Sequence, residues 1–365
     1  MKILVTGGAG FIGRHLIRAL LAEGYDVRIL DHFIEQVHGA QSVTDPILQS
    51  VQIIKGDIRN PEIVAGAVRG VDKVVHLAAE VGVGQSMYEI DRYVGVNDLG
   101  TAVLLKALLQ NPVQRLVVAS SMSIYGEGLY RTAGGTLVED AARPPSGSWD
   151  PQDERGERLL PVPTPEWKRP ALSSVYAITK YTQERLCMNV GSAYGMGSVA
   201  LRMFNVFGPG QALSNPYTGV LAIFAARILN GQPPVIFEDG QQQRDFVHVE
   251  DVARAFVLAL ENPDAVGKVF NVGSGQRVSI EDVALLLARS MGRPDLQPEF
   301  VNKARKGDVR HCFADLDYAR AELGFSPKRS LPDAVPELAE WLERQQADDR
   351  VAEARQELEA RGLVA

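Results

Sequence analysis

The first thirteen residues constrain this chain more than any others. Lys2–Thr6 is a short apolar run that breaks at once into Thr6-Gly7-Gly8-Ala9-Gly10-Phe11-Ile12-Gly13. Apolar residues then recur at Ile12, Leu16, Ile17, Leu20 and Leu21 as far as Gly24, the stripe of a helix with one buried face. A buried strand that turns through glycines into a helix presents free N–H groups and a positive dipole end, and the missing side chains let a phosphate approach them. Asp31 closes the next strand, Val27–Leu30, 18 residues beyond Gly13. That is near the ~20 expected of a carboxylate on a nucleotide ribose. An acid there repels a 2′-phosphate, which favours NAD over NADP. Asp57, after Ile53-Ile54-Lys55-Gly56, stands where an adenine edge could be read or, equally, where a helix could be capped.

A strand–turn–helix unit of this kind needs further strands beside it. Val51–Ile54, Lys73–Leu77, Arg115–Ala119 and Val199–Met203 are short Val/Ile-rich runs. Helical patterns occupy Ala102–Leu109, Val175–Met188, Leu221–Leu229, Val252–Leu260 and Ile280–Ala288. The alternation implies an α/β fold, a Rossmann-type doubly wound parallel sheet with a smaller C-terminal substrate-binding α/β domain. The expected division is 1–200 for the dinucleotide domain, returning at about 245–270, with 201–244 and 271–343 for the second domain. Residues 344–365, dense in Ala, Glu and Arg, read as an exposed charged helix. The stretch 129–173 interrupts the periodicity with Pro144, Pro145, Pro151, Pro161, Pro163, Pro165 and Pro170 and reads as an inserted loop.

Composition narrows the function by exclusion. The net charge of −7 argues against a nucleic-acid partner. Cys187 and Cys312 are the two cysteines, too few and too far apart for a disulfide framework or a cysteine zinc site. No apolar run reaches 18 residues, so no membrane span is expected. A soluble protein of the reducing cytoplasm fits best.

Two further groups carry chemistry. Tyr176-Ala-Ile-Thr-Lys180 places a phenol and an ammonium on one helix face. A nearby cation is expected to lower the phenol's pKa from about 10 toward a usable base. Ser120, Ser121 and Ser123 gather hydroxyls at the carboxyl end of the Arg115–Ala119 strand, where open α/β sheets bind ligands.

Together these residues resemble the extended short-chain dehydrogenase/reductase family, and within it the nucleotide-sugar epimerases. The resemblance covers about Lys2 to Glu343. It implies cofactor contacts from Gly7, Gly10, Phe11, Ile12, Gly13, Asp31, Asp57 and Ile58. It adds Leu77, Ala78 and Ala79 in Val75-His-Leu-Ala-Ala79, and Asn97 in Val96-Asn-Asp-Leu-Gly-Thr101. It implies a catalytic set of Ser121, Tyr176 and Lys180, with Tyr176 and Lys180 also touching NAD. For the substrate it implies a contact from Ser123, with Asn205 and Arg244 on the diphosphate, Phe237 near the base, Arg305 on phosphate, Asp308 on the ribose, and Cys312 beside the sugar's C2 substituent. A homodimer through the helices around 101–109 and 175–188 is implied as well.

The resemblance also narrows the reaction. Family dehydratases carry Asp-Glu, uronate decarboxylases a Glu and 3,5-epimerases a Cys where this chain has Met122 and Ser123, neither able to do acid–base work on a carbon acid. C4 epimerisation of a dTDP- or UDP-sugar through a 4-keto intermediate remains. A 4-keto reductase or a 4,6-dehydratase-type enzyme is the alternative, and an NAD-sensing scaffold is a reading from another class. Tyr125 and Tyr176 lie 51 positions apart, far more than the family's usual spacing. With Gln211–Gly219, the insert looks most like a bacterial subgroup assigned to dTDP-L-rhamnose 4-epimerisation. Many of that subgroup carry paired cysteines in the insert. This chain has none, so no metal site is carried over.

Overall fold

Seven short strands pair side by side in a computed structural model that describes residues 1–38, 45–144, 147–213, 215, 217, 219–345, 349 and 351–364. Pro145 and parts of the 211–219 and 345–361 stretches lie outside the described residues. The strands are β1 (Lys2–Thr6), β2 (Asp26–Asp31), β3 (Gln52–Lys55), β4 (Lys73–His76), β5 (Arg115–Ser121), β6 (Gly197–Met203) and β7 (Val269–Val272). All pair in parallel, in the order β7-β6-β5-β4-β1-β2-β3. The order reverses between β1 and β4, so the carboxyl ends of those strands open the crevice where such sheets bind ligands.

The helices are α1 (Phe11–Ala22), α2 (Pro61–Val68), α3 (Gly100–Gln110), α4 (Val175–Ala193), α5 (Val220–Leu229), α6 (Val249–Glu261), α7 (Ile280–Ser290), α8 (Leu331–Leu342) and α9 (Val351–Ala360). Alternation along β1 sends Ile3 and Val5 to one face and Leu4 to the other. The first face packs against Leu16, Ile17 and Leu20 of α1 and Val252, Phe256 and Leu260 of α6. The second packs against Val64 of α2, Leu104 and Leu108 of α3 and Cys187 of α4. A third apolar cluster joins α5, α7 and α8 around Phe207, Ile236 and Phe246.

Two expectations are corrected. The 129–173 stretch is not simply a loop, because Leu129–Arg131 pairs antiparallel with Leu137–Val138 on one side and Leu160–Val162 on the other. Strands of two and three residues show no period, and Pro161 hides an edge strand. The C-terminal helix is not wholly exposed, because α9 buries Ala354 and Leu358. Its mean hydropathy conceals this, since its buried face is made of little more than those two residues. Among the described residues, no helix is long and apolar enough to cross a membrane.

Candidate active site

The glycine turn is built by backbone contacts. Gly7 adopts φ +70°, and a Cβ there would lie 2.9 Å from the Ala78 nitrogen. The residues after β4 therefore press directly on the turn, and Ala78 N–H also donates to Thr6 Oγ1 at 3.2 Å. A Cβ on Gly13 would stand 2.4 Å from the Gly8 carbonyl oxygen. Gly10 differs: its φ is −69°, and a Cβ would meet nothing nearer than the Gly7 oxygen at 3.3 Å. The fold itself does not demand glycine there. Gly10 precedes α1 with no side-chain cap and no acid in the first turn, where Phe11, Ile12 and Gly13 lie. That leaves the orphan N–H groups of a helix N-terminus for an anion.

Asp31 ends β2 beside this turn, buried, and its carboxylate accepts from Ala9 N at 2.9 Å and Phe33 N at 2.8 Å. His38 Nε2 lies 3.2 Å from the same group, a partner the sequence did not indicate. Three of about four acceptor positions are thus used, leaving about one for a ribose hydroxyl. Asp57 pairs with Arg59 at 2.6 Å and accepts Arg59 N–H, which holds its carboxyl below the usual range. It caps no helix, since Asn60 does that for α2. Ile58 is buried under Gly100 of α3.

Ser121 ends β5 and faces the first turn of α4, which Ser174 caps by accepting Ala177 N–H at 3.1 Å. Ser121 Oγ accepts from Ser123 N–H at 3.2 Å and from the Ser123 hydroxyl at 2.9 Å, and it is hydrogen-bonded to the Tyr176 phenol. Ser123, Ser121 and Tyr176 therefore form a continuous hydroxyl chain. Burial pushes the Tyr176 pKa up and the Ser121 bond pulls it back. The expected lowering by Lys180 is corrected here. The Lys180 ammonium donates instead to Gln183 Oε1 at 2.7 Å, one turn along the helix, and burial lowers its own pKa to about 8.

Behind Lys180 runs a buried polar chain that sequence reasoning missed. Gln183 Nε2 donates to Thr101 Oγ1 at 2.9 Å, and His76 joins Thr101 at 2.8 Å and Thr6 at 2.7 Å. Thr101 spends its single proton on the Asn97 carbonyl at 2.5 Å. His76 Nε2 is then the donor and Nδ1 the acceptor. Such a neutral ring agrees with burial, then the Lys180 charge, lowering its pKa to about 3. Asn97 accepts Glu80 N–H at 2.7 Å and donates to Thr179 Oγ1 at 2.9 Å. Glu184, fully buried, pairs with Arg202 at 2.8 Å and accepts from the Ser120 hydroxyl at 2.7 Å, tying α4 to β5 and β6. The available signal was the position of Gln183 and Glu184, one helical turn after Lys180.

A cavity of about 270 Å³ begins at Met122 and Ser123 and runs past Asn205, Phe237 and Arg244 to Arg305 and Asp308. Asn205 Nδ2 donates to the Asp245 carbonyl at 2.9 Å. Arg244 donates to the Arg310 carbonyl at 2.9 Å and reaches Asp308 at 3.3 Å, while Arg305 reaches Asp308 at 2.7 Å. Burial alone would raise Asp308, but the Arg305 and Arg244 charges hold its carboxyl far below the usual range. Phe237 stacks on the Arg305 guanidinium at 4.6 Å. Gln242, which the sequence reading did not single out, lines the cavity with Nε2 on the Phe237 carbonyl at 2.7 Å and its Oε1 without a partner among the described residues.

Cys312 does not line this cavity. It is 1% exposed in the apolar interior, its Sγ 3.9 Å from Thr164 Oγ1, and burial raises its pKa to about 12. It sits beside Arg244 in strand register, which brings it near the site in sequence terms but turns it into the core.

Residues 3–273 match the NAD dependent epimerase/dehydratase family, and the chain belongs to it. The dTDP-L-rhamnose 4-epimerase of Burkholderia thailandensis is 34% identical over 358 residues, covering 93% of this chain and 94% of that protein. The UDP-glucose 4-epimerase of Thermotoga maritima, solved with UDP-glucose, superposes with a TM-score of 0.77 at 31% identity, covering 94% of this chain and 99% of the other. The UDP-glucuronic acid 4-epimerase of Bacillus cereus, solved with UDP-glucuronic acid and NAD, gives 0.76 at 31% identity over the same shares.

Proposed function

We propose that this chain inverts C4 of a nucleotide-linked sugar, with Tyr176 as the acid–base. The carrying observation is the Ser123–Ser121–Tyr176 hydroxyl chain, set between the glycine turn and a cationic cavity. The turn fits NAD: Gly7, Gly10 and the first turn of α1 suit its pyrophosphate, and Asp31 a ribose. When bound, NAD supplies a reversible hydride acceptor. Tyr176 takes the proton of the C4 hydroxyl and later returns it. Ser121 donates to the phenol oxygen, which favours the phenolate. Lys180, charged below about pH 8, adds a fixed positive field from its Gln183 mooring. Arg244 and Arg305 suit the substrate diphosphate, in charge-assisted contacts that Lys would not reproduce. Met122 leaves no acid or base for C5, which disfavours dehydration.

The relative from Burkholderia and the long insert support a dTDP-6-deoxyhexose substrate over a UDP-hexose. Val94 and Leu99 before α3 and Ile178 on α4 are exposed apolar residues on neighbouring elements, which supports a homodimer through those helices. Two unbonded buried cysteines accord with a cytoplasmic setting. Incubating the holoenzyme with a panel of dTDP- and UDP-sugars and reading the C4 epimer by NMR tests the reaction. Tyr176→Phe should keep fold and NAD while losing about 10³-fold in rate. Near-normal turnover, or loss of the C6 oxygen from a sugar that entered with one, would remove this reading. Light scattering that finds a monomer at micromolar concentration would remove the dimer.

A further inference from the structure

The cavity's remaining wall comes from the far end of the chain. Val351, Ala354, Arg355 and Leu358 of α9 all line it, at the i, i+3, i+4, i+7 spacing of a single helix face. Ala354 and Leu358 are buried there, with Leu358 3.4 Å from where a Gly84 Cβ would stand. Leu363 lines the cavity too, and its carbonyl accepts Lys306 N–H at 2.9 Å. Val364 bridges to Arg305 in antiparallel fashion, and Arg361 lies over the Tyr88 ring at 4.3 Å. The tail is thus fastened by backbone bonds to the segment that carries Arg305 and Asp308.

Charge gives this wall a chemical role. Although the chain carries −7 overall, the cavity is lined, among the described residues, by Arg244, Arg305, Lys306 and Arg355 against the single carboxylate of Asp308. Arg244 and Arg305 already share that carboxylate. Arg355 engages Glu359 through Nε at 3.1 Å, and a guanidinium has four further N–H donors. A cavity with surplus cations suits a ligand carrying two or more negative charges.

We propose that α9 is part of the substrate site and that Arg355 binds the diphosphate of the nucleotide sugar. This rests on reading the cavity as the nucleotide-sugar site. Calorimetric titration of the NAD-loaded full chain with dTDP, UDP and uncharged thymidine tests it. Arg355→Ala should weaken dTDP and UDP about tenfold or more and leave thymidine unchanged, with Arg355→Lys, which keeps the charge but not the fork of donors, recovering only part of the loss. In a second measurement, Arg355→Cys is labelled with a thiol reagent, the native Cys187 and Cys312 both being buried. Saturating dTDP should slow that labelling at least about fivefold. Undiminished dTDP affinity in Arg355→Ala, equal labelling with and without dTDP, or a wild-type chain that binds neither nucleotide overturns the proposal. Neither readout requires turnover. A chain that binds dTDP through Arg355 yet epimerises no sugar would fail the reaction and keep this inference. Equal KM in wild type and Arg355→Ala would do the reverse.

Discussion

Two glycines of the same turn offer opposite experiments. At Gly13 an added methyl would lie 2.4 Å from the Gly8 oxygen and 2.6 Å and 2.7 Å from the Gly8 C and Cα. All three are backbone atoms, so no side chain can swing away, and the turn itself must shift. Alanine would gain about 1 kcal/mol of helix propensity. Overpacking a close contact costs ~1–3 kcal/mol or more. Gly13→Ala should therefore be less stable than wild type, its melting temperature falling by a few degrees. At Gly10 the same methyl meets only the Gly7 oxygen at 3.3 Å, and φ of −69° is open to any residue. Alanine there should leave the melting temperature unchanged or raise it slightly, by ~0.4–1 kcal/mol of lost unfolded-state entropy. The methyl projects into the space a pyrophosphate would need, so NAD affinity should fall tenfold or more. Circular dichroism melts and the NAD released from purified protein measure both effects. Gly10→Ala that retains wild-type NAD, or Gly13→Ala as stable as wild type, would refute the argument.

Lys180 gives a pH prediction: with its pKa lowered to about 8, turnover should fall above about pH 8 as the ammonium is lost. Lys180→Arg, slower throughout, should lack that limb in a pH–rate profile. For stability the sign is opposite. Between about pH 8 and the ordinary 10.5 the unfolded chain holds the proton that the folded chain has released, so this group's contribution rises with pH. Cys312→Tyr should lower the melting temperature by overpacking the core and slow 2-acetamido and 2-hydroxy sugars alike. A selective effect on the bulkier sugars would return Cys312 to the pocket.

The candidate catalytic residues were legible in the sequence because the chemistry proposed for them is tied to short-range spacing. The glycine turn needs four residues at fixed offsets, and Tyr176 and Lys180 are one helical turn apart. What each of them touches was not legible. Whether Lys180 meets the phenol or Gln183 depends on χ angles set by α3 and β4 packing from other parts of the chain. The His76–Thr101 link joins the end of β4 to the first turn of α3, and their proximity follows from how that helix packs on the sheet. Cys312 shows the limit in another form. A shift of one residue along a strand exchanges cavity for core, and spacing from Asp308 cannot resolve which side a strand residue faces. The insert's short strands and the buried face of α9 carry too few apolar residues for any period to show.

The insert also shows how long-range charge can do what local pattern does not reveal. Two arginines join it to the segment that carries Glu238 and Asp239. Arg310, 1% exposed, reaches Asp150 at 2.7 Å, Glu238 at 3.0 Å and Asp239 at 2.6 Å. Arg143 reaches Glu127 at 3.1 Å and Glu238 at 2.5 Å, and it donates to the Asp308 carbonyl at 3.0 Å. Glu238 sits at φ +57°, a left-handed conformation that costs a non-glycine residue ~1–2 kcal/mol and must be held by its partners. Arg143→Met would leave Glu238 to Arg310 alone and strip Glu127 of its only guanidinium among the described residues. A fully broken buried pair costs ~3–5 kcal/mol. With Arg310 still in place the loss should be smaller, about 1–3 kcal/mol, and Glu127→Gln in the same chain should restore part of it. Because Arg143 also holds the backbone of Asp308, dTDP should bind more weakly while NAD content stays constant. If stability falls but dTDP affinity does not, the insert is a brace for the fold alone. If neither moves, the ion pairs are incidental, and the strain at Glu238 must be held by its backbone bond to Lys303.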